Sequence, residues 1–217
     1  MLDIQCFVFN NFEENTYLVT DRETGLSALI DPGMLFEEEK NFFEKYCVDH
    51  KVNLSQVILT HGHLDHCFGT DFVRSRFGAK VLVHADDVTL LDSVGDQGRK
   101  FGMGNVVKNP VVCDVKLREG DVIELGDTRF RVIHVPGHTR GGIVLYDAED
   151  KVAFVGDSIF NRSIGRTDLP GGDYDTLIRS LKTKILSLPD DTVLLSGHGD
   201  ATTVGAEKNN NPYLKDF

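Results

Sequence analysis

Four side chains able to bind a metal fall within six residues of this chain, in the run Thr60-His61-Gly62-His63-Leu64-Asp65-His66. Three more stand where apolar, strand-like runs end: His138 in Val-Pro-Gly-His-Thr, Asp157 in Phe-Val-Gly-Asp-Ser and His198 in Leu-Leu-Ser-Gly-His-Gly. Imidazole and carboxylate suit zinc, iron or manganese. Burying so many polar groups together without a metal would leave several unsatisfied. The spacing also sorts them. His61 and His63 alternate along an extended backbone and point to one side. Asp65 and His66 lie beyond a turn and face a second position. Each position then holds two ligands and needs others from distant sequence, which His138, His198 and a bridging Asp157 can supply. Two metals about 3.5–4 Å apart share a hydroxide and polarise a carbonyl together, which is hydrolytic chemistry.

Such a site needs strand ends brought to one place by a rigid frame. Apolar segments read as strands at 4–9, 16–19, 27–30, 57–60, 80–84, 122–125, 129–135, 142–146, 152–155 and 192–195. Helical spacing runs through Phe36, Phe42, Phe43, Tyr46 and Cys47, through 71–77 and 86–91, and through Leu177, Ile178, Leu181 and Ile185 behind Asp173. The stretch 92–109 has little periodicity and reads as a long loop or lid. Two halves, each of strands followed by helix and strand, predict an α/β or α+β chain forming a single domain over 1–217.

The remaining histidines, His50, His84 and His134, match no ligand spacing and read as ordinary packed or surface residues. Hydrophobic residues make up 41% and charged residues 26%, the composition of an ordinary globular protein. A formal net charge of −11 argues against nucleic acid as a partner. There is no apolar run of membrane-spanning length and no secretory pattern of basic start, apolar run and cleavage site. Cys6, Cys47, Cys67 and Cys113 are scattered, which reads as free thiols and a cytoplasmic protein.

Beyond the ligands, longer stretches resemble the metallo-β-lactamase-fold hydrolases, specifically their small glyoxalase II-like (hydroxyacylglutathione hydrolase-like) branch. They are Leu29-Ile30-Asp31-Pro32-Gly33, Pro136-Gly137-His138-Thr139, the run from Ser163 through Gly165-Arg166-Thr167-Asp168 to Gly172, and Gly197 to Glu207. The resemblance implies an αββα sandwich, with two mixed sheets face to face and helices outside. It implies a first metal on His61, His63 and His138, a second on Asp65, His66 and His198, and Asp157 between them. Two divalent ions per chain are implied, zinc foremost, with iron or manganese accepted by the same ligands. Asp31 is implied to orient a ligand, and Arg166 to contact a carboxylate on a thiol carrier.

The activity implied is hydrolysis of a thioester such as S-lactoylglutathione by a metal-bridging hydroxide that Asp65 orients. The partner is then a small-molecule thioester. A thiol leaving group, with a pKa near 8.5, needs no strong general acid. The chain has only Ala201 to Phe217 after its last ligand, whereas full-length glyoxalase II enzymes add a C-terminal helical domain that grips glutathione. The main alternative is a mononuclear-iron persulfide dioxygenase of the same fold, using His61, His138 and Asp157 as its triad. A β-lactamase, a nuclease and a non-catalytic metal-binding protein fit less well, since there is no secretory pattern, the charge is negative and all seven ligands stand.

Overall fold

The computed structural model describes residues 1–103 and 111–215. Strands β1 (Leu2–Phe9), β2 (Glu14–Asp21), β3 (Leu26–Ile30), β4 (Asn53–Ile58), β5 (Lys80–His84) and β6 (Val115–Leu117) form one six-stranded sheet in that order. Its first two pairings are antiparallel and the rest parallel. Helix α1 (Glu37–Asp49) makes the crossover between β3 and β4, and α2 (Thr70–Phe77) the one between β4 and β5. The Glu39 carboxylate accepts the Leu35 and Phe36 amides at the start of α1, at 2.8 and 3.0 Å. These are donors that the helix itself leaves unpaired.

The second sheet runs β14-β13-β10-β9-β8-β7. Its members are β7 (Val122–Leu125), β8 (Thr128–His134), β9 (Ile143–Asp147), β10 (Val152–Gly156), β13 (Val193–Ser196) and β14 (Thr202–Thr203). A two-residue hairpin of β11 (Ile159–Phe160) and β12 (Ser163–Ile164) follows β10. Only β10 and β13 pair in parallel within this sheet.

Period-two burial divides the apolar residues among three layers. Ala28, Ile30 and Ile58 of the first sheet meet Phe130, Val132, Leu145 and Phe154 of the second between the sheets. Phe154 is fully buried, its ring edge-on to Tyr17 at 5.4 Å and to Phe130 at 6.0 Å. Outside the first sheet, Leu29, Val57 and Val81 pack with Phe43 and Cys47 of α1 and Val73 of α2. Outside the second, Ile133, Val144 and Val155 pack with Leu177 of α5 (Tyr174–Ser180) and with Leu181 and Ile185 of the π-helical turn that extends it. Helix α6 (Val204–Asn210) adds Val204 to that layer. The αββα sandwich implied by the resemblance is the fold observed.

One expectation fails. The stretch 92–109 is not loop throughout: α3 (Val88–Asp92) is followed by α4 (Val94–Lys100), while residues 104–109 lie outside the described region. Gly95 and Gly98 lower the intrinsic helix propensity of this segment. Tertiary contacts hold it instead, through buried Val94 in the outer core of the first sheet and the side chain of Gln97.

The two sheets are also stitched through polar contacts near the chain's extremes. Asn15 donates from Nδ2 to the carbonyls of Ser196 and Gly199 at 3.0 and 2.9 Å. The Tyr17 hydroxyl donates to Ser196 O at 2.7 Å, and Glu14 forms an isolated bridge with His198. The four cysteines are unpaired.

Candidate metal centre

All the candidate ligands leave the same edge of the sandwich, at the C-terminal ends of strands. Thr60 and His61 follow β4, and a 3₁₀ turn at Leu64–His66 then carries Asp65 and His66. His138 lies in the β8–β9 loop, and Asp157 and His198 follow β10 and β13. Because β10 and β13 run parallel side by side, their ends place Asp157 and His198 next to each other, joined where Gly197 N donates to Gly156 O at 2.9 Å. Glycine is required at 197: a Cβ there would stand 2.4 Å from the Asp157 carboxylate and 2.5 Å from the His66 ring.

The side chains converge as two groups. In the first, His138 Nε2 stands 2.9 Å from His63 Nδ1 and 3.3 Å from His61 Nε2. In the second, Asp65 Oδ2 stands 3.3 Å from His198 Nε2 and 3.7 Å from His66 Nε2. Asp157 stands between them. Its Oδ1 is 3.4 Å from His66 Nε2, and its Oδ2 is 3.6 Å from His198 Nε2 and 3.7 Å from His138 Nε2. Each group could hold a metal ion.

The outer edges of the rings fix which nitrogen faces inward. His138 Nδ1 donates to Arg166 O at 2.8 Å and His198 Nδ1 to Phe12 O at 2.9 Å. His66 Nδ1 lies 3.0 Å from Asp31 Oδ2, and His61 Nδ1 lies 3.0 Å from the Thr60 hydroxyl, which itself donates to Asp31 at 2.6 Å. Four histidines thus spend their ring N–H outward and aim an Nε2 lone pair inward, the arrangement of metal-ligating imidazoles. His66 Nε2 and Asp157 Oδ1 are buried without any hydrogen-bond partner. A cluster of lone pairs lacking donors fits divalent metals and little else.

Charge follows from burial and proximity. Burial, and then the neighbouring imidazoles, push His61 well below the usual histidine range and His63 down to about 3, so both rings are neutral near pH 7, each with a single N–H. Burial alone would raise Asp157 and Asp65. The neighbouring histidines outweigh it and hold both carboxyls below the ordinary range. His66 goes the other way: burial would lower it, but Asp157 and Asp65 together push it well above.

Asp31 stands directly after β3 with φ +51, a conformation that aspartate tolerates better than most residues. Its carboxylate ties the Thr60 amide (2.7 Å) to the His66 ring. Three contributors were not read from the sequence. Asp87, fully buried, accepts from Gly62 N at 2.9 Å, Thr139 Oγ1 at 2.7 Å and Gly141 N at 2.6 Å. It clamps the His61–His63 loop to the His138 loop. Glu14 is fully buried beneath His66 and Asp31, its carboxyl pushed well above the ordinary range chiefly by that burial. Gln97 of α4 bonds Gly62 O and Leu64 N at 3.0 and 3.1 Å. Asp87 carried only the signal of a helix-opening Asp-Asp pair.

A further possible ligand group, away from these, joins His84, Asp86 and His134. The two rings stack at 4.1 Å and 14°, so their lone pairs lie in parallel planes and do not converge. His84 Nδ1 already accepts from Asp86 N, and His134 Nε2 donates to Arg140 O.

The sequence and the fold have counterparts among known proteins. A family model described as the Metallo-beta-lactamase superfamily matches residues 10–198. The chain belongs to the metallo-β-lactamase superfamily. Over 215 residues it is 38% identical to the hydroxyacylglutathione hydrolase GloC of Haemophilus influenzae, covering 98% of each chain. Among solved structures it resembles the BLEG-1 B3 metallo-β-lactamase (TM-score 0.90, 30% identity, 99% of this chain and 100% of that one). It also resembles TTHA1623 in a di-iron-bound form (0.86, 34%, 97% and 100%) and ETHE1 from Myxococcus xanthus (0.80, 26%, 97% and 83%).

As in any superfamily of shared fold, specificity has to be sought in the cavity above the ligands. Here it measures about 380 Å³ and opens over His63, Asp65, His138, Asp157 and His198. Phe12, Leu90, Phe101 and Leu169 give it apolar walls, and Gln97, Lys100 and Arg166 polar ones. The Arg166 guanidinium forks onto Asp168 at 2.8 and 2.7 Å. No helix among the described residues is long and apolar enough to cross a membrane.

Proposed function

We propose that this chain is a metal-dependent thioester hydrolase acting on substrates of the S-lactoylglutathione type. The observation that carries the proposal is the pair of ligand groups with Asp157 between them, at the floor of a cavity lined by apolar side chains together with Lys100 and Arg166. The full-length likeness to a hydroxyacylglutathione hydrolase supports it. In this reading His61, His63 and His138 hold one divalent ion, Asp65, His66 and His198 hold the other, and Asp157 serves both. Zinc is the ion proposed, and iron or manganese suit the same donors. Bound there, the ions would bring the pKa of a water to near neutrality and polarise the substrate carbonyl.

The protein's own part is to hold and orient. Asp65, its carboxyl held below the ordinary range, faces the cavity as a proton acceptor that aligns the attacking water. Asp31 and Thr60 fix the His66 and His61 rings and Asp87 the loops that carry His61, His63 and His138, so little reorganisation is left for the reaction. Phe12, Leu169 and Phe101 exclude water from the thioester. The departing thiolate needs no proton donor, since free thiols ionise near pH 8.5. Arg166 lines the cavity wall and is proposed to meet the carrier as a hydrogen-bond donor, its charge being already answered by Asp168.

The experiment is hydrolysis of S-lactoylglutathione by protein reconstituted with zinc, with His138→Ala as the control. Turnover in the wild type that is lost in the variant supports the proposal, and a wild type inert toward every thioester sinks it. A second reading rests on the likeness to ETHE1 and on the closeness of His61, His138 and Asp157, whose atoms could hold one iron as a facial triad. Oxygen uptake on glutathione persulfide by iron-loaded protein, without thioester turnover, would decide for it.

A further inference from the structure

We propose that Lys100 is the group that reads a carboxylate on the carrier half of the substrate, an inference that rests on the thioesterase reading above. Three charged side chains outside the ligand set line the cavity: Asp96, Lys100 and Arg166. Arg166 is neutralised by its two-bonded fork onto Asp168, and Asp96 is paired with Arg99. Among the described residues no carboxylate pairs with Lys100. It is the cation whose charge remains to be answered by whatever enters.

The way α4 is held gives this cation a defined place. Ser93, Asp96, Gln97 and Lys100 fall at helical spacing and all line the cavity, while Val94 and Gly98 are buried behind them. Gln97 is pinned to Gly62 O, Leu90 O and Leu64 N, so α4 is locked to the loop bearing His63. Lys100 stands three residues further, about 4.5 Å along the helix axis. The scissile carbonyl must sit at the ligands, and a lactoyl-sized acyl group ends there. A substrate group that also reaches Lys100 therefore belongs to the larger, carrier half.

The wall beside Lys100 says more about that half. Phe12 and Phe101 meet edge to face at 6.1 Å and 84°, each more than a third exposed. An aromatic pair left open at a cavity mouth suits the methylene and peptide surface of a flexible thiol. The chain as a whole carries −11, a field that repels an anionic carrier. A local, unanswered ammonium is what lets such a carrier dock. Lys100 thereby selects carriers ending in a carboxylate over neutral thiols of similar length.

The test measures equilibrium binding to the zinc-reconstituted full chain of two thiols that share the metal contact: glutathione, which has carboxylates, and N-acetylcysteamine, which has none. Wild type, Lys100→Ala and Lys100→Arg are compared. Lys100→Ala is expected to weaken glutathione about tenfold, the usual scale of a lost charge-assisted hydrogen bond, and to leave N-acetylcysteamine within about twofold. Lys100→Arg should recover most of the loss, and added salt should shrink the difference. Unchanged glutathione binding in Lys100→Ala, or equal weakening of both thiols, overturns the proposal. Because binding is read without turnover, a wild type that binds glutathione through Lys100 yet hydrolyses no thioester defeats the thioesterase reading alone.

Discussion

Asp87 shows how a residue outside the ligand set can govern it. Its carboxyl is fully buried and raised above the usual range, burial outweighing three donated hydrogen bonds. Asp87→Ala would strand Gly62 N, Gly141 N and the Thr139 hydroxyl, at about 1–3 kcal/mol for each buried donor left unmade. The expected outcome is a melting temperature lower by several degrees together with weaker zinc binding, read by calorimetry and by metal titration. Asp31→Ala should act more narrowly, freeing the His66 ring and weakening metal affinity about 10–100-fold at the Asp65–His66–His198 group. Retention of two tightly bound zinc ions in that variant would contradict the role. The clustered side chains proposed as ligands were legible in sequence because four of them share a six-residue run. Asp87 was not, since two of its three partners are backbone amides and leave no side-chain signature.

Elements differ in legibility for a similar reason. Strands such as β8 and β10 announced themselves because every second residue, or both faces, are buried, whereas of β4 only Val57 and Ile58 fell inside the stretch read as strand, its first four residues being mostly polar and less buried. Helix α4 did not. Two glycines interrupt it and only Val94 and Gly98 face inward, so its stability comes from contacts that no local window contains. Gln97 is the chief of these. Gln97→Ala should leave the fold intact but release α4 from the loop at 62–64, with faster hydrogen exchange at the Leu64 amide and a higher KM at little change in kcat. Unaltered exchange would mean that burial of Val94 alone holds the helix.

At the scale of the whole molecule, the sandwich gathers a site short of hydrogen-bond donors, which the proposed cations would answer. Chelation should therefore lower the melting temperature markedly, by an amount that grows with the free-metal concentration it removes. A scan with and without zinc checks this. Acid acts elsewhere as well. The Arg74 guanidinium, then the Val81 amide, hold the Asp114 carboxyl at about 2, joining α2, β5 and the approach to β6. The folded value lies below the unfolded one of about 3.9, so this contribution is complete above pH 4 and lost as pH falls through 2. The urea midpoints of wild type and Asp114→Asn should accordingly differ at pH 6 and converge near pH 2. The layered fold was readable from alternating burial, but the stitching of Asn15 and Tyr17 to Ser196 was not, because its partners stand about 180 residues apart in the chain. That separation has a consequence during synthesis. At roughly 5–20 residues per second, a ribosome that has delivered Asn15 needs roughly 10–40 s more to deliver Ser196. Throughout that interval the nascent protein has no seam to close, and His198, the last of the proposed ligands, is still unmade, so the Asp65–His66–His198 group can be completed only as the seam itself forms, and prematurely ended chains lack both.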